Sequence, residues 1–366
     1  MMQATGTLAA RQEVPSPAVW TSAELGRRDD WLRVLTAADI AEIDEAYRAV
    51  KARGIGLAAL ARADVPMPRF AAIAAAALEA LEHGPGMFMI RGFPIERYSE
   101  ADARAIYWCL GKHLGTAVSQ SDEGDVLGDV RDIRVAPDSP RFRAYKTAGR
   151  AAFHTDSCDV AALFVLRSAK SGGVSMVASS VAVHNAILRA RPDLLEVLYQ
   201  PFAWSLQGQE REGETPFYLQ PIFTTHEGQF SCRYIRGHIK NGQRFTEAPR
   251  LTPQQVEALD LIDATASDPR FCFYTDFQPG DLQLCNNHVV MHARTAFTDH
   301  PEPERCRHLL RMWLAVPNSR PLSPLLGRIY RDQRAGAVRG GFPSRIPGTV
   351  VFETSAEWEN RMNATH

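Results

Sequence analysis

The chain has 366 residues, 45% of them hydrophobic, and its 41 Lys plus Arg nearly cancel its 42 Asp plus Glu. That is enough apolar material for a sizeable core, while balanced charge without a basic run argues against nucleic acid or an anionic membrane and for a small-molecule substrate. No signal-peptide apolar region opens the sequence and no run of 18 apolar residues occurs, so the expected compartment is the cytoplasm. A homo-oligomer is compatible with this composition, which sets no oligomeric state.

Residues 1–30 are rich in Pro, Ser and Thr without a sustained period and read as an N-terminal arm. Helix signals follow: "TAADIAEIDEAYRAVKARG" opens on Thr36 and stops at Gly54, and "PMPRFAAIAAAALEALEHGPG" stops at Gly84. "MFMIRGF" reads as a buried strand and "SEADARAIYWCLGKHLG" as a third helix. From about residue 127 short runs dominate: "ALFVLRS", "VSMVASS", "YLQPIFTT", "QFSCRYI", "FCFYTDF", "DLQLCNN" and "HLLRMWLAV". Only "AVHNAILRARPDLLEVLYQ" and "TPQQVEALDLIDATASD" interrupt them as helices.

Many short strands with few crossover helices predict an antiparallel sandwich or barrel. The fold class is therefore mainly β with flanking helices. A single domain is expected over 31–320, with a helical part at 31–120 bracing the outer face of its sheet and an extension at 321–366. Residues 205–250 mix charge with glycine, the composition of a lid or of a plain surface loop.

Six cysteines (Cys109, Cys158, Cys232, Cys272, Cys285 and Cys306) form no C-x-x-C pair, so free thiols are expected in place of a disulfide framework or zinc ribbon. "AAFHTDSCD" is more informative. Given 11 His and 42 acidic residues, roughly 1.3 H-x-acid matches arise by chance, and the chain has two. His300-Pro301-Glu302 is stiffened by prolines in a polar turn; His154-Thr155-Asp156 follows an extended run, where residues two apart face one side and can reach one ion.

A third ligand is available in "NNHVVMHARTAF", which offers His288 and His292 after a strand-like run. Two histidines and one carboxylate suit non-haem Fe(II) with open positions, but a zinc hydrolase can use the same set. In "RCRHLLRMWL", Arg307 and Arg311, interleaved with Leu309 and Trp313, face one side of a strand. Inward arginines need an anion: a dicarboxylate co-substrate, or a buried Asp or Glu partner.

Taken in order, His154-Thr155-Asp156, "SGGVSMVASS", "NNHVVMHARTAF" and "RCRHLLRMWL" resemble the signature blocks of the taurine dioxygenase (TauD/TfdA-like) family of Fe(II)/2-oxoglutarate dioxygenases, over roughly residues 85 to 316. The resemblance implies a double-stranded β-helix (jelly-roll) core. It makes His154, Asp156 and His292 the iron ligands, His292 being preferred to His288 because it begins the H-x-R stretch His292-Ala293-Arg294. Arg307 would hold the distal carboxylate of 2-oxoglutarate, helped by the Ser175 hydroxyl where relatives often carry Thr. Arg311 matches a position that meets substrate in taurine dioxygenase and co-substrate in some relatives.

The implied activity is oxidation of an unactivated C–H of a small molecule with O2 and 2-oxoglutarate, hydroxylation above all, with release of succinate and CO2. Alternatives are a zinc-dependent hydrolase on the same triad and a non-catalytic binding protein on the same scaffold. Arg311, Arg236 and Arg294 suggest an anionic substrate group. Tyr234, Trp204, Gln207, Tyr145, Asn286 and Asn287 are further pocket-lining candidates, though large rings more often pack a core and Asn often satisfies strand-end backbone groups. Cys158 and Asp159 are expected to serve packing and solvent.

Overall fold

A computed structural model describes residues 11–133 and 147–352. Two sheets face each other across the core. The larger runs Leu32–Val34, Met87–Arg91, Leu282–Asn286, Val160–Arg167, His308–Ala315 and Thr116–Val118, with Gly128–Val130 also paired to His308–Ala315. The smaller runs Phe273–Thr275, Ser175–Ser179, Val290–Arg294 and Ala151–His154. Every pair in the two sheets is antiparallel except the first of the larger one. This is the jelly-roll arrangement expected, open at its edges and not closed into a barrel.

Alternation along the strands decides which face meets what. Val160, Ala162, Phe164 and Leu166, with Leu310, Met312 and Leu314, pack beneath the helices Ala37–Arg53, Pro68–His83 and Glu100–Leu114. Their odd-numbered neighbours Ala161, Val165, Leu309, Arg311 and Trp313 turn to the space between the sheets. The first helix is closed at its start by a capping box between Thr36 and Asp39 and at its end by Gly54 in the left-handed region (φ 63°). The third starts where Ser99 accepts from the Asp102 amide.

Two of the predicted runs are divided. The helical stretch over 182–200 breaks at Pro192, which cannot donate into a preceding turn, giving Ser180–Ala190 and Pro192–Leu198. Pro221 likewise separates Phe217–Gln220 from Phe223–His226.

The arm, lid and tail inferred from composition are more deeply packed than expected. Trp20 is buried and donates its indole N–H to the Pro85 carbonyl (2.8 Å), so the lead-in joins the core from Arg11 onward. Two strand pairs over 202–232 and the helix Arg236–Gly242 bury Trp204, Phe223, Tyr234 and Ile239, which leaves 207–216 as the surface turn within 205–250. Leu322 and Tyr330 are buried, and the Gly341 amide donates to the Ser157 carbonyl (2.6 Å), so the described part of the extension braces the loop that follows His154. No helix among the described residues is long and apolar enough to cross a membrane.

Candidate active site

His154 ends its strand directly opposite His292, and their ring centroids lie 4.3 Å apart. Asp156 follows in the loop, where its amide donates to Asn287 Oδ1 (2.8 Å); Asn287 Nδ2 in turn donates to the Cys158 carbonyl (3.2 Å). One ligand-capable atom from each of His154, Asp156 and His292 lies within 4.8 Å of the others. Asp156 Oδ2 is buried without a hydrogen-bond partner and stands 3.7 Å from His292 Nε2, a gap that suits two ligands each about 2.1 Å from one ion.

Protonation favours the same reading. His154 Nδ1 is 2.8 Å from the Ala152 carbonyl, which can only accept, so Nδ1 carries the proton and Nε2 offers its lone pair. Burial, followed by the nearby His154, pushes the His292 pKa down to about 3, so this imidazole is neutral. Burial works against the Asp156 carboxylate, but Arg311, His292 and His154 outweigh it and hold its pKa below the ordinary value. Two imidazoles, each with a nitrogen available as a ligand, and a carboxylate fit a divalent cation.

The two arginines of the long strand differ. Arg311 has its carboxylate: Nη1 is 3.6 Å from Asp156 Oδ1, and Nε donates to Gln120 Oε1 (2.6 Å). Arg307 forms no ion pair among the described residues; Nη1 is buried and unpartnered, and its guanidinium lies 5.2 Å from the Phe297 ring centre, with Arg294 4.6 Å from the same centre. Burial and the neighbouring Arg294 cation lower the Arg307 pKa to about 9. A Cβ on Gly173 (φ 70°) would come within 3.1 Å of Arg307 Nε, so this glycine makes room for the arginine side chain.

Ser175, buried, spends its hydroxyl donor on Gln283 Oε1 (3.0 Å) across the gap between the sheets. That leaves Gln283 Nε2, and Thr275 Oγ1 on the strand opposite Ser175, buried and unpartnered. Sequence reasoning missed both, because an alternating strand position says that Gln283 is inward but not what it meets.

Tyr234 and Arg236 are not presented to the triad. Tyr234 donates its hydroxyl to Asp263 Oδ1 (2.7 Å), and Arg236 pairs with Asp263 (2.6 Å) and Asp260 (2.5 Å), all on the helix Pro253–Ser267. Arg294 likewise spends its guanidinium on the carbonyls of Thr147, Gly149 and Thr295. Trp204 is a core residue donating to the Gln220 carbonyl (2.9 Å), and Gln207 accepts from Asn241 (3.0 Å). Asn286 anchors to the Leu81 carbonyl (2.9 Å). Tyr145 lies outside the described residues.

Asp159 is no solvent residue. It is buried between His288 Nε2 and Arg339 Nε, each 2.8 Å from Oδ1, which accounts for the first histidine of "NNHVVMH". A further cluster of Glu100, Asp129 and His308 has metal-like spacing, but Arg104 pairs with both acids and Arg167 Nη2 sits 3.1 Å from His308 Nδ1, so cations already occupy that place.

The family model for the taurine catabolism dioxygenase TauD, TfdA family matches residues 51–313. The chain is 35% identical over 336 residues to FR-33289 synthase of Streptomyces rubellomurinus, covering 89% of this chain and 97% of that protein. It is 24% identical over 303 residues to the taurine hydroxylase-like protein SAT17 of Stachybotrys chartarum, covering 80% and 77%. In structure it is similar to asparagine oxygenase in complex with Fe(II), 2S,3S-3-hydroxyasparagine and succinate (TM-score 0.60, 17% identity, 78% of this chain and 93% of that one). The non-heme iron oxygenase OrfP, in complex with Fe and alpha-ketoglutaric acid, is also similar (TM-score 0.55, 16% identity, 77% and 93%).

Proposed function

The chain belongs to the taurine catabolism dioxygenase TauD, TfdA family and is an Fe(II)- and 2-oxoglutarate-dependent oxygenase; we propose that His154, Asp156 and His292 hold its iron and that Arg307 selects its co-substrate. The observation carrying this reading is the pairing of two unmet demands. A buried carboxylate oxygen of Asp156 lacks a hydrogen-bond partner between two histidines, and the buried Arg307 forms no ion pair among the described residues.

Iron with 2-oxoglutarate and O2 supplies oxidative decarboxylation to succinate and CO2, together with the oxidising power to hydroxylate a substrate C–H. The chain supplies position. Arg307 and the Ser175–Gln283 pair take the distal carboxylate of 2-oxoglutarate, and charge-assisted hydrogen bonds there fix the direction from which its 2-oxo acid end approaches the triad. Arg311, already against Asp156, stays on the co-substrate side of the centre and holds that carboxylate ionised. Leu309 and Trp313 wall the same face and exclude water. Residues 31–320 act as one catalytic domain, and the extension beyond braces it.

The test is stoichiometry. Purified protein given a turned-over substrate should form succinate only with both Fe(II) and 2-oxoglutarate present, and Zn(II) should inhibit. Substrate turnover supported by Zn(II) without 2-oxoglutarate would overturn the reading in favour of a hydrolase.

A further inference from the structure

Most of the buried arginines have a counter-charge: Arg339 has Asp159 (2.8 Å), Arg320 has Glu82 (2.8 Å), Arg104 has Asp129 and Arg311 has Asp156. Arg294 satisfies itself on carbonyls, and Arg307 faces the co-substrate. One is left over. Arg233 is 0% exposed and forms no ion pair among the described residues, and both Nε and Nη1 are buried without a partner.

Its Nη2 donates to Ser157 Oγ (3.1 Å) and Tyr218 OH (3.3 Å), and its guanidinium lies 5.3 Å from the Trp204 ring centre. Ser157 is the residue after Asp156, so the cation stands one residue from the metal triad. The charged or ionisable groups acting on it are Tyr218, Tyr330 and Asp156, and Tyr330 OH is itself buried and unpartnered. Gln220, two residues along the strand from Tyr218, is fully buried with both amide atoms unpartnered.

A fully desolvated guanidinium is strongly disfavoured unless an anion completes it, and its remaining N–H groups need acceptors. The partners of its guanidinium are two hydroxyls and an indole ring, and the carboxylate that acts on it, Asp156, is committed to the metal and Arg311. We propose that Arg233 is the receptor for a negatively charged oxygen group of the substrate, a carboxylate, sulfonate or phosphonate, with the Tyr218 and Ser157 hydroxyls orienting its guanidinium. Arg233 then fixes the end of the substrate remote from reaction, and the number of bonds between that anion and the metal centre selects which C–H is oxidised. This rests on the reading of His154, Asp156 and His292 as the iron site.

The experiment uses full-length protein loaded anaerobically with Fe(II) and saturating 2-oxoglutarate, titrated separately with methylphosphonate, methanesulfonate and acetate while the thermal midpoint is followed. At least one probe should raise the midpoint saturably, and the preferred probe identifies the anion class. Arg233→Gln should weaken that binding at least tenfold while keeping the visible iron–co-substrate band, Arg233→Lys should recover part of it, and Arg236→Gln should leave it unchanged. If Arg233→Gln fails to fold, Tyr218→Phe takes its place and should weaken binding severalfold. Indifference of the unsubstituted protein to all three probes, or undiminished binding by Arg233→Gln, overturns the proposal. Absence of the band in the unsubstituted protein overturns the iron-site reading instead, and this proposal with it.

Discussion

His154 and His292 are cross-strand partners, and the ladder between their strands shifts register just beyond them, between His292 and Arg294. A bulge there re-aims side chains next to the paired histidines, a use common at active sites. Backbone hydrogen bonding thus sets the separation of the two imidazoles, while Asp156 is set independently by Asn287 in the following loop.

Replacing Arg307 by Met should separate binding from stability. With its charge gone and no native acid left unpaired, the protein without co-substrate should melt at the same temperature or higher. Its affinity for 2-oxoglutarate should fall by about 2–4 kcal/mol, roughly 30- to 1000-fold, for loss of a buried charge-assisted contact. Anaerobic titration followed by the visible band measures the second effect. Unchanged affinity would remove Arg307 from the co-substrate site.

Asn287→Ala deletes the acceptor for the Asp156 amide and the donor to the Cys158 carbonyl without replacing any of the proposed metal ligands. Groups that orient ligands in this way are worth about 10–100-fold in metal affinity. Fe(II) binding should weaken within that range while the fold persists. Metal affinity equal to that of the unsubstituted protein would show that the loop holds Asp156 without Asn287.

Acid should destabilise the protein through His288. Burial lowers its pKa to about 4, below the usual value of 6.5, despite the opposing hydrogen bond with Asp159. Between those values the unfolded chain binds the proton that the folded chain refuses, so stability falls as pH drops from about 6.5 towards 4, by on the order of 3 kcal/mol for the metal-free protein. Denaturant midpoints across that range should show a shallower slope for His288→Gln. An identical slope would assign the acid sensitivity to other groups.

The legible and illegible parts of this site divide by the range of the interaction. His154 and Asp156 are legible through their spacing of two after an extended run, Arg307 through an alternating run and the family resemblance, and Thr36, Ser99 and Gly54 through capping chemistry local to a helix end. The partners of Asp159, by contrast, arrive from 129 and 180 residues away. Nothing near Asp159 distinguishes a buried, doubly paired acid from a solvated one. Residue type misled at 233–236: Tyr234 and Arg236 looked suited to a pocket, but both spend their side-chain polar groups on the helix Pro253–Ser267, and it is Arg233 that reaches Ser157. The tail shows the same limit. Its composition reads as an appendage, and only the fold brings Arg339 and Gly341 against the loop carrying Asp156.

The central claim is that His154, Asp156 and His292 hold the iron that 2-oxoglutarate chelates. Anaerobic addition of Fe(II) and 2-oxoglutarate tests it most directly, through the visible metal-to-ligand charge-transfer band. The unsubstituted protein should develop the band, and His154→Ala and Asp156→Ala, each shown to be folded by circular dichroism, should not. A band of undiminished intensity in both variants would contradict the account.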